Sequence, residues 1–300
     1  MLPQCANLML CMEENAAPAQ SPVVTALIVA HNCAPALRRS ITALEASHGR
    51  ESLEILVVDQ GSRDGSQAID SEFPDVTMLR LPRYFGATKA RNIGVRTAKG
   101  EYVFLLAPEV EVRPETVAGL TGVLESEEPP GVACPVLVDP AGRYLPQVSS
   151  LPLPGSIQQP DWRPAAPDSR QTAELVSPRA LFTRRQTIAG MNYFDERFGE
   201  TWSDTDFCFR VRKGGRKILI CGDLPVTDHG QPTPPESLRA ALEADWRIGA
   251  AAFSGKHFGF GAQVSTYLKG LVGAPFSVGG FGAFSRMLSG QKIDGSELLD

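Results

Sequence analysis

Blocks of hydrophobic and polar residues alternate along the first third of the chain and predict strands and helices in turn. The run VVTALIVA, which begins at Val23, is continuously aliphatic and β-branched, as in a parallel strand covered on both faces. After it, Leu37, Ile41 and Leu44 recur at helical spacing behind Pro35, a residue suited to a first helical turn. The runs LEILVV, VTMLRL and YVFLL predict three further strands, with helical segments between them.

Strand–helix alternation of this kind implies right-handed βαβ units. The sequence therefore predicts an α/β fold with a mainly parallel central sheet and helices on both of its faces. Ligands of such sheets bind outside the carboxyl ends of the strands. The residues that directly follow each predicted strand are for this reason the first candidates for a functional site.

The second half of the chain is less regular. Residues 139–172 hold many prolines and few apolar runs, which predicts a long loop or lid. LVSPRALFTRR and RKILIC predict strands, and SDTDFCFRVRKGG predicts a helix that ends at its two glycines. Further on, Leu238, Leu242 and Trp246 fall on one face of an amphipathic helix.

These patterns divide the chain into three segments. We expect a loose leader at residues 1–21, a main α/β domain at 22–235 and a helical extension at 236–300 that packs on the domain. The extension is rich in glycine and phenylalanine, so a peripheral contact with a membrane surface is an alternative to simple packing.

Composition narrows the class of protein. The 300 residues are 43% hydrophobic and 21% charged, as in ordinary soluble globular proteins. A net charge of −5 argues against nucleic acid as a partner. The six cysteines form no C-x-x-C motif and are expected to be reduced, as in the cytoplasm. No uninterrupted apolar stretch reaches the roughly 18 residues of a membrane span.

The first predicted strand ends in VAHNCAPAL, without a glycine. Dinucleotide fingerprints and P-loops need glycine there so that the backbone can approach phosphates, so a nicotinamide enzyme and a nucleotidyltransferase are both disfavoured. A nucleotide would instead meet side chains, with His31 stacking on a base and Asp59 accepting hydrogen bonds from it. The alternative is that His31 and Asn32 are simply turn residues.

Two more segments place polar groups at the same sheet edge. VVDQGSRDGS carries Asp59 at a strand end, followed by a tight turn. FGATKARNIG carries Lys89 and Arg91, cations suited to phosphate groups. The alternative for these two cations is the solvated face of a helix.

In order and spacing, TALIVAHN, EILVVDQGSRDGS, GATKARNIG, GEYVFLLAPEVEV, FDERF, SDTDFCFRVRKGG and DHG resemble the family 2 glycosyltransferases with the GT-A fold. The resemblance covers about residues 23–230. The tail, including ADWRIGAAAFSGKHFG, is similar to the helical C-terminus of bacterial members that build surface polysaccharides or glycolipids. The resemblance implies transfer of a sugar from a nucleoside diphosphate donor to a carbohydrate or lipid-linked acceptor hydroxyl, with inversion at the anomeric carbon.

That reaction needs a base for the acceptor proton. By its position in SDTDFC, the resemblance assigns this role to Asp204, with Asp206 as a supporting neighbour. The alternative is helix capping, because Ser203 and Asp206 have capping-box-like spacing and carboxylates suit a helix N-terminus.

The departing diphosphate needs a cation, and in this family a D-x-D motif after the fourth strand holds Mg²⁺ or Mn²⁺. Here the motif reads Ala107-Pro108-Glu109, so the resemblance leaves Glu109 as the direct ligand, with His229 of DHG able to complete the coordination. Hard divalent cations accept a single carboxylate together with phosphates and water. The predicted metal site therefore keeps one of the motif's two acidic residues, Glu109.

Two classes of protein fit this pattern. Retention of Asp59, Arg91, Glu109, Asp204 and His229 favours an active sugar transferase. The lost first aspartate of the motif favours a catalytically degenerate relative that binds a nucleotide or a partner protein.

Overall fold

A computed structural model of the chain describes residues 23–167, 169–231, 236–290 and 293. The predicted leader at 1–21 lies outside the described residues, and so do residues 232–235, which end at the predicted boundary of the C-terminal extension.

Strands and helices alternate in the first half, as the hydrophobic pattern predicts. The strands are β1 (Val24–Ala30), β2 (Leu53–Asp59), β3 (Val76–Arg80), β4 (Tyr102–Leu106), β5 (Val110–Glu111), β6 (Val132–Val138), β7 (Pro146–Ser149), β8 (Arg163–Pro164), β9 (Arg170–Ala173), β10 (Leu175–Val176), β11 (Ala180–Arg184) and β12 (Ile218–Asp228). The helices are α1 (Ala34–Glu45), α2 (Ala87–Thr97), α3 (Thr116–Leu124), α4 (Arg185–Gly190), α5 (Ser203–Lys213), α6 (Glu236–Phe258), α7 (Phe260–Gly273) and α8 (Gly280–Ser289), with a 3₁₀ helix at Gly65–Ser71.

A mixed but mostly parallel sheet forms the centre of the molecule. Its strand order is β3-β2-β1-β4-β11-β6-β12-β5, with β9 also paired to β12. The pairs among β1 to β4 and the pair of β6 with β12 are parallel, whereas β11 runs antiparallel to both β4 and β6. A smaller sheet has the order β10-β7-β8. The predicted α/β class with a mainly parallel sheet is confirmed, and β11 is the reversed strand at its middle.

The two faces of the sheet are covered by different helices. Leu37, Ile41 and Leu44 of α1 are fully buried on one face, as their spacing predicts. On the other face α2 lies against β1 so closely that a Cβ on Gly94 would stand 2.3 Å from a methyl carbon of Leu27. Glycine at this position leaves room for the Leu27 side chain, which packs directly against the backbone of α2.

Three predictions about the second half need correction. Residues 139–172 are not one long loop, because β7 pairs with β8 within them and β9, which pairs with β12, begins at Arg170. The segment LVSPRALFTRR is two strands rather than one, since β10 and β11 belong to different sheets. The strand predicted at RKILIC continues to Asp228, through an irregularity between Cys221 and Pro225. All three differences arise from pairing between strands that are far apart in sequence, which a local hydrophobic pattern does not indicate.

The predicted amphipathic helix forms as part of α6. Leu238 is buried, and the Trp246 indole donates a hydrogen bond to the Ile157 carbonyl at 2.9 Å. A Cβ on Gly249 would stand 2.5 Å from the ring of Trp202, so α6 packs directly on the segment that precedes α5. Within the described residues, no helix is both long and apolar enough to cross a membrane.

Candidate active site

The carboxyl ends of β1, β2 and β4 meet at one edge of the sheet. Ala30 pairs with Asp59, and Ile28 pairs with Leu106, so the loops that follow the three strands are neighbours. A cavity of about 240 Å³ opens there, which we call the strand-end cavity. Its walls include His31, Gln60, Tyr84, Arg91, Ala107 and Glu109.

His31 and Asn32, the two possible turn residues in the loop after β1, have different surroundings. His31 lies in the cavity wall, with its Nδ1 3.0 Å from the Gln60 carbonyl oxygen and its ring edge-on to Tyr84. Asn32 has a left-handed backbone, with φ of 47°. Its side-chain oxygen accepts the Arg63 backbone N–H at 2.8 Å. Asn32 therefore joins two loops, as a turn residue does. His31 lines the cavity, with its Nε2 3.3 Å from the amide nitrogen of Asn32.

Asp59 is the most deeply buried of the predicted ligand-binding residues on the β1 and β2 loops, with 2% of its surface exposed. One of its oxygens accepts the Ser62 backbone N–H at 3.2 Å. The other oxygen, Oδ1, has no hydrogen-bond partner among the described residues. Leaving a buried carboxylate oxygen unpaired is costly, so Oδ1 is an unused acceptor at this strand end. Asp59 is not among the residues that line the strand-end cavity.

The two cations of the third motif are separated by the fold. Arg91 lines the strand-end cavity and donates from Nη1 to Asp204 Oδ1 at 2.6 Å. Lys89 instead lies with its Nζ 4.9 Å from the centre of the Phe85 ring and lines a different cavity, near Glu196. Arg91 is thus the cation of this motif that the structure brings to the strand ends.

A second and larger cavity, of about 560 Å³, adjoins the first. We call it the tryptophan cavity, because Trp162, Trp202 and Trp246 line it. Pro178 and Glu200 line both cavities, so the two cavities are adjacent.

The predicted base and its neighbour have different surroundings. Asp204, in the first turn of α5, lines the tryptophan cavity. Asp206 is fully buried and is bonded to Arg210 at 2.7 Å, to Lys256 at 2.7 Å and to the His257 ring at 2.8 Å. Because these bonds run to α5 and α6 and no side chain caps α5, the capping-box interpretation of Asp206 is wrong. Asp206 fastens the C-terminal helix to the site.

Glu109 stands at the altered motif and is 7% exposed. Its Oε2 accepts a hydrogen bond from Arg179 Nη2 at 3.2 Å. The same nitrogen lies 2.5 Å from Asp228 Oδ1, and Arg179 Nε donates to the other oxygen of Asp228. Burial raises the pKa of Glu109, and the charge of Arg179 opposes this rise. Two carboxylates at the motif thus share one guanidinium.

The second predicted metal ligand is also engaged. His229 Nε2 lies 2.8 Å from Glu111 Oε2, and the His229 backbone N–H donates to the Glu109 carbonyl at 3.1 Å. Across the part of the chain that the structure describes, no three His, Cys, Asp or Glu side chains cluster so as to hold a metal ion. The assignment of a divalent cation to Glu109 and His229 stays a prediction, and the described side chains do not fit a preformed site for one.

Two important residues were missed from sequence. Arg179 precedes β11, and its role depends on the reversal of that strand, which no local pattern reports. Glu200 accepts hydrogen bonds from the Tyr84 hydroxyl and from the Ala87 backbone N–H, the latter at 3.3 Å, and its burial raises its pKa. An isolated glutamate in a loop carries no signal that would have revealed this position.

Comparison with known proteins shows the family and the fold of the chain. The sequence model described as Glycosyl transferase family 2 matches residues 25–190, which is more than half of the chain. The chain belongs to this family.

Curated relatives match over a shorter region. The succinoglycan biosynthesis protein ExoO of Rhizobium meliloti (strain 1021) is 34% identical over 96 residues, which are 31% of this chain and 27% of that protein. An uncharacterized glycosyltransferase of Haemophilus influenzae is 31% identical over 91 residues, 30% of each chain. The matched region therefore spans less than a third of either relative.

Solved structures share the fold. GalNAc-T7 with UDP, GalNAc and Mn²⁺ superposes with a TM-score of 0.59 at 15% identity, covering 80% of this chain and 52% of that one. The mannosyltransferase PcManGT of Pyrobaculum calidifontis, with GDP-Man and Mn²⁺, gives 0.56 at 15% identity over 94% and 79%. TarS 1-349 of S. aureus gives 0.55 at 14% identity over 89% and 92%. The chain has the GT-A fold of these glycosyltransferases.

Proposed function

We propose that this protein transfers a sugar from a nucleoside diphosphate donor to an acceptor hydroxyl, with inversion at the anomeric carbon. The observation that carries the proposal is a pair of adjacent cavities that share Pro178 and Glu200 in their walls. The ion pair of Arg91 and Asp204 joins them, with the cation on one side and the carboxylate on the other.

The donor occupies the strand-end cavity. His31, in the wall of this cavity, stacks on the base. We assign the hydrogen bond from the base to the unpartnered Oδ1 of Asp59, which ends β2 at the same edge of the sheet. Arg91 faces the diphosphate, since a guanidinium forms paired hydrogen bonds with phosphate oxygens. Lys89 is held against Phe85, so we assign it a supporting position beside the donor rather than a direct contact.

The acceptor occupies the tryptophan cavity, whose aromatic walls suit the apolar faces of sugar rings. Asp204 takes the proton of the attacking hydroxyl, so that the new glycosidic bond forms as the bond to the diphosphate breaks on the opposite face. Its ion pair with Arg91, at 2.6 Å, fixes the carboxylate between the two substrates.

A divalent cation beside the donor diphosphate is an expectation of the family resemblance that the described side chains do not fit. Two of the similar structures contain Mn²⁺, and Glu109 and His229 are the residues that we assigned to such an ion. In the described structure these side chains are bonded to Arg179 and Glu111 instead. The same pairing is the observation that favours the second candidate function, a degenerate relative that binds a nucleotide without turnover.

The acceptor that we propose belongs to surface polysaccharide or glycolipid synthesis, as in the relative named for succinoglycan. A lipid-linked acceptor would bring the protein to the cytoplasmic face of a membrane. Large apolar side chains stand exposed on α7, on α8 and in the connection between them: Phe260, Leu268, Val272, Phe276, Val278, Phe281 and Leu288. We expect the protein to sediment with lipid vesicles, and Phe276→Asp to weaken this; equal sedimentation of the variant would contradict the contact.

Donor turnover tests the proposal and separates the two candidates. Nucleotide sugars with UDP, GDP and TDP are incubated with the full chain, with water as the slow acceptor, and ³¹P NMR follows release of the nucleoside diphosphate. We expect one donor class to be cleaved by the protein and not by Asp204→Asn. Early ¹H spectra should show the sugar released with inverted anomeric configuration. Nucleotide binding without any cleavage would favour the degenerate relative.

A further inference from the structure

The altered motif Ala107-Pro108-Glu109 directly follows β4, and Arg179 directly precedes β11, the strand paired with β4. β11 runs antiparallel to β4, with Ala180 opposite Leu106, and the Ala107 backbone N–H donates to the Arg179 carbonyl at 2.8 Å. Directly opposed residues of antiparallel strands project to the same face of a sheet. Arg179 therefore stands across from the position where the family motif has its first aspartate and this chain has alanine.

The side chain of Arg179 lies between two carboxylates at this place. Only 16% of its side-chain surface is exposed, with 9% for Glu109 and 4% for Asp228. One nitrogen, Nη2, reaches oxygens of both carboxylates, at 3.2 Å and 2.5 Å. The guanidinium is thus held by both oxygens of Asp228 and one oxygen of Glu109, which are ligands of the kind that a metal cation would use.

A divalent cation and this guanidinium exclude each other. The ion would need the carboxylate oxygens that Arg179 uses, and its charge would be repelled by the guanidinium within a water-poor region where such repulsion is strong. His229, the other predicted ligand, is bonded to Glu111. In this chain, therefore, an alanine stands at 107, where the family motif has its first aspartate, and a cation, Arg179, stands opposite to it.

We propose that the guanidinium of Arg179 takes the place of the divalent cation beside the donor diphosphate, so that this chain binds its nucleotide without a metal ion. The inference rests on the proposed function, since it assumes that the diphosphate reaches this edge of the sheet. Nε and Nη2 are used by the carboxylates, while Nη1 has no hydrogen-bond partner among the described residues. Nη1 is the group that remains to donate to a phosphate oxygen.

Two measurements test this on the full chain. The first counts bound Mn²⁺ by electron paramagnetic resonance, in the absence of nucleotide. We expect none at this site in the natural protein and one ion in Arg179→Met, where Glu109 and Asp228 lose their cation and become available as ligands. The control is Arg170→Met, which removes an exposed arginine from Asp223, a residue of the same strand as Asp228. This control should bind no Mn²⁺.

The second measurement is calorimetric titration with UDP, GDP and TDP, each with Mn²⁺ or with EDTA. For the natural protein we expect the affinity for the bound nucleotide to change by less than about threefold between Mn²⁺ and EDTA. Arg179→Met should lose at least about tenfold in EDTA, as expected for a lost charged hydrogen bond, and regain affinity with Mn²⁺. Arg179→Lys, which keeps a cation, should stay insensitive to Mn²⁺.

Several outcomes would overturn the inference. Mn²⁺ bound at this site of the natural protein, or nucleotide affinity raised tenfold or more by Mn²⁺, would show that an ion belongs there. Failure of a folded Arg179→Met to take up Mn²⁺ would show that the carboxylates are not a latent site. If Arg179→Met does not fold, the Mn²⁺ and nucleotide titrations of the natural protein and of Arg179→Lys still test the inference. If no nucleotide binds but Arg179→Met takes up Mn²⁺, the proposed function is refuted. The conclusion that Arg179 occupies the place of a metal ion would still stand.

Discussion

Replacement of Asp204 by asparagine separates catalysis from donor binding more cleanly than any other single change in this site. The carboxylate lines the tryptophan cavity, whereas its partner Arg91 lines the strand-end cavity, so the two residues report on different substrates. A positioned general base contributes about 10² to 10⁴ in rate, which corresponds to roughly 3–5 kcal/mol of activation free energy. We expect Asp204→Asn to lose transfer by about this factor.

The structure also sets the size of the side effects. The Arg91–Asp204 contact of 2.6 Å is largely shielded, with 19% and 15% of the two side chains exposed. Asparagine keeps an oxygen that can accept from Arg91, so the free energy of unfolding should fall by only about 1 kcal/mol. Nucleotide affinity should stay unchanged or rise slightly, because Arg91 loses the carboxylate that competes with phosphate.

Three assays on one preparation decide this prediction: initial rates of donor turnover, calorimetry with the nucleotide, and urea unfolding. Asp223→Asn is the matched control, since Asp223 pairs with Arg170 in an exposed ion pair and its loss should leave all three values unchanged. Weakened nucleotide binding with unimpaired turnover in Asp204→Asn would refute the assignment of the base.

Other predictions follow from burial and close packing. Burial raises the pKa of Glu200 above that of an unfolded chain, so the folded state binds more protons from about pH 4.5 upward and stability falls as pH rises through that window. Glu200→Gln should remove this fall in urea unfolding from pH 4 to 8; an unchanged slope would contradict it. Gly94→Ala places a Cβ 2.3 Å from a Leu27 methyl and should reduce the free energy of unfolding by about 1–3 kcal/mol, so an unchanged urea midpoint would argue against that packing. Burial raises the pKa of the Cys33 thiol to about 12; peptide mass spectrometry should find it unmodified by iodoacetamide at pH 8 unless urea is added, and rapid labelling of the folded protein would refute this.

Local patterns account for the first half of the molecule because each element there is decided by its own residues. The buried run at β1 and the spacing of Leu37, Ile41 and Leu44 each correspond to an observed element. The sheet edge that holds His31 and Asp59 follows from the same alternation, since parallel strands bring their carboxyl ends together.

The remainder depends on contacts between residues far apart in sequence. The tryptophan cavity takes Trp162 from one loop, Trp202 from the start of α5 and Trp246 from α6. Arg179 reaches Glu109 only because β11 is inserted in reverse beside β4. Strand order and direction are set by packing of the whole sheet. A search based on sequence motifs therefore finds the Glu109 carboxylate and misses its partner Arg179.

The central claim, that the strand ends bind a nucleoside diphosphate, is tested most directly by calorimetric titration of the full chain with UDP, GDP and TDP. The account predicts that one of the three binds with one-to-one stoichiometry, that Asp59→Asn weakens this binding, and that Asp204→Asn leaves it intact. The absence of binding by all three nucleotides, with and without Mn²⁺, would contradict it.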